Sequence, residues 1–130
     1  MHVTSTAISL NVPDVEASAA FAAALGFTEA MRADGFVSLE HPTAGVNIVL
    51  LRTGLGTFRP ARIAGAAGQG LLLAFVVDDL DAEHARITAL LPGLPGAAVE
   101  TAPETEPWGE RYCQYADANG LVWQLVQWVG

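Results

Sequence analysis

EPWGERYCQYADANGLVWQLVQW, Glu106 to Trp128, is the stretch on which the fold reading turns. Arg111 to Ala116 is a short run rich in strand formers, Asp117-Ala118-Asn119-Gly120 is a turn, and Leu121 to Trp128 is a second strand. The Asn-Gly pair predicts the positive backbone φ that a tight hairpin turn needs. The second strand alternates, with Leu121, Trp123 and Leu125 on one face and Val122, Gln124 and Val126 on the other. That pattern puts Trp123 in a core and Gln124 on the opposite face.

The rest of the chain supplies the same kinds of element. Ala7 to Val12 alternates as a half-buried strand with Ile8, Leu10 and Val12 on its apolar face. Pro13 ends it, and Asp14 caps an Ala-rich helix from Val15 to Leu25 that Gly26 stops. Val15, Ala19, Ala22 and Leu25 lie along one side of this helix, with Phe21 nearby. Phe27 to Arg32, Gly35 to Glu40 and Gly45 to Arg52 read as strands. Thr53 to Gly70, rich in glycine and alanine, reads as a linker. Leu71 to Val77 is a strand, and Asp79 to Leu91 a helix with Leu80, Ile87, Leu90 and Leu91 as core positions. Ala97 to Thr101 is a short edge strand, and Ala102 to Gly109 a proline-containing loop that leads into the hairpin.

The order β-α-β-β-β thus occurs twice. Val12-Pro13-Asp14-Val15 matches Val77-Asp78-Asp79-Leu80 at an offset of 65 residues, and Gly45 with its strand matches Gly120 with its strand at an offset of 75. The reading is one α+β domain over residues 1–130, with modules over 1–52 and 71–130 joined by a linker over 53–70.

Composition narrows the partners. With 52% hydrophobic residues the chain can build a real core, and no apolar run approaches the length of a membrane span. A net charge of −8, with only six Lys and Arg, argues against nucleic acid and is compatible with a cationic ligand. A single cysteine, Cys113, excludes an internal disulfide. The first residues lack the basic-then-apolar pattern of a signal peptide, so a cytoplasmic location is expected.

Pro107-Trp108-Gly109 and Asp117-Ala118-Asn119-Gly120 resemble the closing hairpin of the vicinal oxygen chelate superfamily, with Ala118 where proline is usual. That group takes in glyoxalases, extradiol dioxygenases and bleomycin-resistance proteins. The run from Asn11 to Ser18 and Leu25-Gly26-Phe27 are similar to the superfamily's first module, and a duplicated βαβββ unit is its architecture. The resemblance covers nearly the whole chain. It implies paired βαβββ modules forming a curved mixed sheet, and a homodimer.

The resemblance also implies where a divalent metal would sit in metal-dependent members: one ligand from the first strand of each module, usually His or Gln, and one from the last, usually Glu. Carried through the repeat, these positions are Ala7 and Leu72, then Val49 and Gln124. Three are aliphatic, and only Gln124 offers a donor. The histidines do not replace them: His2 is in the terminal lead-in, His41 in a turn and His84 on the second helix, none at ligand spacing with a partner. Cys113 reads as a small core hydrophobe rather than a nucleophile. No catalytic set is legible.

What remains on the face that would hold the metal is Ala7, Ser9, Asn11, Asn47, Val49, Leu51, Leu72, Ala74, Val76, Val122, Gln124 and Val126. Sparse amides on an apolar lining suit a small-molecule pocket. Trp108 is the candidate to stack on a planar ligand, Gln124 and Asn47 to hydrogen bond, and Phe36, Phe58, Arg111 and Tyr115 are further candidates. The expectation is a small-molecule binder without cofactor or metal, similar to the bleomycin-resistance branch, taking a planar or cationic antibiotic or metabolite. The alternative is a divalent-metal-dependent lyase, isomerase or dioxygenase using Gln124.

Overall fold

Asp14 and Asp79 each start a helix in the same way. Each carboxylate accepts from the backbone N–H three residues on, Asp14 from Ala17 at 3.2 Å and Asp79 from Ala82 at 3.1 Å, which satisfies a donor that the first helical turn leaves open. The computed structural model describes residues 1–55 and 61–130; Phe58 lies outside them. The described chain divides into two compact units, Met1–Ala67 and Gly68–Gly130, whose boundary falls inside the segment read as linker.

In the first unit, β1 (Ala7–Val12), α1 (Val15–Ala24), β2 (Thr28–Ala33), β3 (Phe36–Glu40) and β4 (Asn47–Arg52) build a sheet in the order β1-β4-β3-β2, with β1 parallel to β4. α1 ends on Gly26, whose φ of 100° lets its N–H reach Ala23 O while Phe27 N–H reaches Ala22 O. Phe21 and Ala22 are fully buried, and Val37, Leu39, Ile48 and Leu50 are buried on β3 and β4, the strands α1 packs on; burying a side chain the size of Phe21 is worth about 1.5–3 kcal/mol. Ser18 is buried on this helix as well, where the sequence reading had Ala19 and Leu25.

The second unit repeats this with β5 (Leu72–Val76), α2 (Leu80–Leu90), β6 (Ala98–Thr105), β7 (Glu110–Ala116) and β8 (Val122–Trp128) in the order β5-β8-β7-β6. The sequence offsets hold at the level of strand register. Ser9 pairs with Val49 and Ala74 with Gln124; Asn11 pairs with Leu51 and Val76 with Val126.

Three local readings change. β6 runs on to Thr105, through residues read as loop; its register shifts between Val99 and Thr101 and again before Glu104, and Pro103 is tolerated because it lies by a bulge on an edge strand. The hairpin turn has positive φ at Gly120 alone, at 83°. Asp117 replaces the second left-handed residue: its carboxylate takes the N–H of Asn119 and of Leu121, and Gly120 N–H bonds Asp117 O. On α2, Leu90 is exposed; the buried side follows Leu80 and Ile87, with half-buried His84 between them.

Candidate ligand-binding face

Each sheet carries its helix on one face and has no helix of its own unit on the other, the open face. In the second unit the open face is a grid set by strand pairing. Leu72, Val122, Ala116 and Ala98 form one rung; Ala74, Gln124, Gln114 and Thr101 the next; Val76, Val126, Tyr112 and Glu104 the third. Trp128 continues the β8 row beyond Val126 and pairs with Glu110. Leu72, Val76 and Trp128 are exposed.

The middle rung is polar and linked. Thr101 Oγ1 donates to Gln114 Oε1 at 2.7 Å, and Gln114 Nε2 donates to Gln124 Oε1 at 2.8 Å. The third rung ends in an acidic corner, where the Tyr112 hydroxyl lies between the carboxylates of Glu104 and, at 2.9 Å, Glu106. Those hydrogen bonds hold the phenol neutral well above its ordinary range. Trp108, in the turn that joins β6 to β7, is 67% exposed. Gly109 beside it has a φ of 93°, and a Cβ there would meet Val129 O at 2.7 Å, so the turn is pressed against the end of β8.

Two candidates lie on the helix side of this sheet. Tyr115 is fully buried; its hydroxyl sits 2.7 Å from His84 Nδ1 and receives the Cys113 thiol at 3.5 Å. Burial pushes both the Tyr115 phenol and the Cys113 thiol up. Arg111 forks onto Asp81 of α2, with Nη2 at 2.7 Å and Nε at 3.2 Å, and its Nη1 donates to Thr105. That pairing holds the Asp81 carboxyl below its ordinary value. The alternation that points Gln124 one way points Tyr115 and Arg111 the other, because register pairs them with Trp123 and Gln127.

In the first unit Asn47 and Val49 sit on the open face beside Ala7 and Ser9. Asn11 is on the same side but buried: its Nδ2 donates to Ile63 O and Gly65 O, and Ala67 N–H bonds its carbonyl. It ties the 61–67 segment to β1. Phe36 lines a hollow of about 450 Å3 at the start of α1, together with Glu16, Arg32, Asp34 and Arg52. The charges there pair with each other: Arg32 with Glu16 and Glu29, and Arg52 with Asp34 at 3.4 Å. His41 is structural. Its Nδ1 accepts from Thr43 and Ala44 N–H, both at 3.1 Å, which leaves Nε2–H to donate to Leu25 O at 3.2 Å.

The structure therefore gathers Gln124 with Gln114, Thr101, Tyr112, Glu104 and Trp128, of which Gln124 alone is a ligand-contact candidate from the sequence. The two-residue period of β8 carried the signal for Trp128, two positions past Val126. The partners from β6 and β7 depend on register and had no signal of their own.

A model of the Glyoxalase/Bleomycin resistance protein/Dioxygenase superfamily matches residues 2–125. The chain belongs to that superfamily. Similar solved structures include a glyoxalase/bleomycin resistance protein/dioxygenase from Nocardioides, at 26% identity and a TM-score of 0.75 over 99% of this chain and 85% of that one. A lactoylglutathione lyase from Agrobacterium tumefaciens is 21% identical, with a TM-score of 0.71 over 97% and 94%. TioX from Micromonospora sp. ML1 is 20% identical, with a TM-score of 0.72 over 98% and 100%. No curated protein matches the chain.

Superfamily membership raises the question whether the residues at the expected ligand positions fit a metal. Each of the four positions carried over from metal-dependent members lies on the open face of its own unit, and their side chains are Ala7, Val49, Leu72 and Gln124. Divalent ions take oxygen or nitrogen donors; three hydrocarbon side chains and one neutral amide do not fit. Among the described residues no three His, Cys, Asp or Glu side chains converge. No helix among them is long and apolar enough to cross a membrane.

Proposed function

We propose that this protein binds a small molecule without a resident metal, sequestering an antibiotic or metabolite, and that the open face of the second unit takes the ligand. The observation that carries the reading is the chemistry of that face: an apolar floor of Leu72, Ala74, Val76, Val122 and Val126 around one linked row of amides. A lining of this kind supplies contact area and a few oriented polar groups. The acidic corner at Glu104 and Glu106, on a chain of net charge −8, favours a cation. Trp108 and Trp128 are the exposed aromatic surfaces on which a planar ligand stacks. Asn47 serves on the first unit's open face, and the protein works as a homodimer.

The test has two arms. Untagged protein is purified without chelator and its metal content measured; less than a tenth of an equivalent of iron, manganese, nickel or zinc, unchanged after incubation with those ions, is expected. A panel of cationic aromatic compounds is then screened by tryptophan fluorescence in EDTA, with Trp108→Ala and Trp128→Ala as controls. Saturable binding in EDTA that weakens in either variant supports the reading. Near-stoichiometric metal, with binding lost on chelation, overturns it in favour of a metal-dependent lyase, isomerase or dioxygenase.

A further inference from the structure

Gln124 is only 7% exposed, yet its amide is half used. Its Oε1 accepts from Gln114, and no protein acceptor is placed on Nε2 among the described residues. No side-chain nitrogen or oxygen among them is both sealed from solvent and unsatisfied, so Nε2 opens onto the face. A carboxamide has one donating and one accepting end. Whatever fixes the end that meets Gln114 therefore fixes the end offered to a ligand.

Thr101 and Gln114 do that fixing. The Thr101 hydroxyl donates to Gln114 Oε1 at 2.7 Å, and Gln114 Nε2 donates to Gln124 Oε1 at 2.8 Å. Gln114 thus turns its oxygen to Thr101 and its nitrogen to Gln124, and Gln124 turns its oxygen inward and its nitrogen outward. Reversing the outward group requires both amides to turn together. The first unit has no such relay: Ser38 and Val49 are paired where Gln114 and Gln124 are paired here.

We propose that the second unit's open face selects for a hydrogen-bond acceptor on its ligand, a carbonyl oxygen, through Gln124 Nε2–H, with Gln114 and Thr101 as positioning residues that set the polarity. This rests on the small-molecule reading of the same face and names the chemistry that the face recognises. An acceptor on the ligand gives Nε2–H a partner. An apolar ligand of the same shape leaves a mostly buried N–H without a partner.

The experiment uses 15N-labelled full-length protein and three bicyclic probes of similar shape: 1-indanone, which presents a carbonyl; indane, which presents neither donor nor acceptor; and indole, which presents an N–H. Binding is followed on the backbone signals of Val122, Gln124 and Val126 and on the Gln124 side-chain amide pair. In the native protein 1-indanone is expected to bind about tenfold tighter than indane, the gain from one hydrogen bond, and to shift the Gln124 amide pair. Gln124→Met brings the two within twofold. In Gln114→Glu the new carboxylate accepts from Gln124 Nε2, the amide turns over, and the preference passes from 1-indanone to indole. Unchanged backbone spectra establish that both variants fold. Equal binding of 1-indanone and indane to the native protein overturns this inference alone, as does a ketone preference that survives in Gln114→Glu. If no probe moves any signal of the open face, the small-molecule reading of that face falls and this inference with it.

Discussion

Replacing Asp117 by alanine is expected to cost about 4 kcal/mol, and the structure says where the cost arises. Asp117 is 3% exposed and holds the β7–β8 turn with both carboxylate oxygens. Oδ1 accepts from Asn119 N–H at 2.9 Å and Leu121 N–H at 3.1 Å, and Oδ2 accepts from the Trp123 indole N–H at 3.1 Å. Asn119 is half-buried and its N–H can turn to water. Leu121 and Trp123 are 2% and 0% exposed, so their donors lose this acceptor with no water to replace it. Each stranded donor costs about 1–3 kcal/mol, and two of them give the figure above. A domain is stable by only about 5–15 kcal/mol, so the loss is a large part of the total. All three tryptophans lie in the second unit, so tryptophan fluorescence during urea unfolding reports on the unit that contains the change. With a slope of about 2 kcal/mol per molar, the midpoint falls by about 2 M. Asp117→Asn keeps an oxygen for the turn but sets an N–H against the indole N–H, and is expected to cost about 1–3 kcal/mol, one stranded donor. A loss below about 1 kcal/mol for Asp117→Ala, within the range of ordinary surface changes, refutes the reasoning and shows that the strand pairing alone holds the turn.

Three further perturbations test other parts of the structure. Gly109→Ala meets Val129 O at 2.7 Å in a left-handed conformation and is expected to destabilise by about 1–3 kcal/mol in the same urea assay. Stability is expected to fall as pH rises above about 9: burial holds Cys113 above its ordinary value of 9.0 and Tyr115 above 10.0, so the unfolded chain releases protons that the folded one keeps. The stability these groups contribute is complete below the unfolded value and is lost on the way up through the folded one, and Cys113→Ala measured against pH should flatten the first part of that fall. Asn11→Ala removes the side-chain bonds to Ile63 O and Gly65 O while the Ala67 N–H bond to the backbone carbonyl at position 11 stays, and limited trypsin digestion should cut after Arg62 at least several-fold faster with the β1 core otherwise intact.

The division between chain and fold is clearest in β8 and its neighbours. Val122, Gln124 and Val126 alternate with Leu121, Trp123 and Leu125 in the sequence, and a strand side chain points up or down with a period of two whatever lies beside it. The open and covered faces were therefore legible, as was the repeat, which carries the β1–β4 register onto β5–β8 without a slip. Caps at Asp14 and Asp79 were legible because they are satisfied within one helical turn.

Tertiary structure decided who meets whom across strands. Tyr115 and Arg111 read as site candidates from their chemistry, but pairing opposite Trp123 and Gln127 turned them toward α2, to His84 and Asp81. The same pairing brought Gln114 and Thr101 to Gln124 from ten and twenty-three residues away. Local alternation is a property of one strand and is written in its own residues. Register belongs to two strands at once, set by bulges such as those in β6 and by a core that fixes which face is buried. The sequence by itself thus determined the family architecture, the two faces and the hydrocarbon side chains at Ala7, Val49 and Leu72, while only the folded sheet decided that the amide of Gln124 is joined through Gln114 to Thr101.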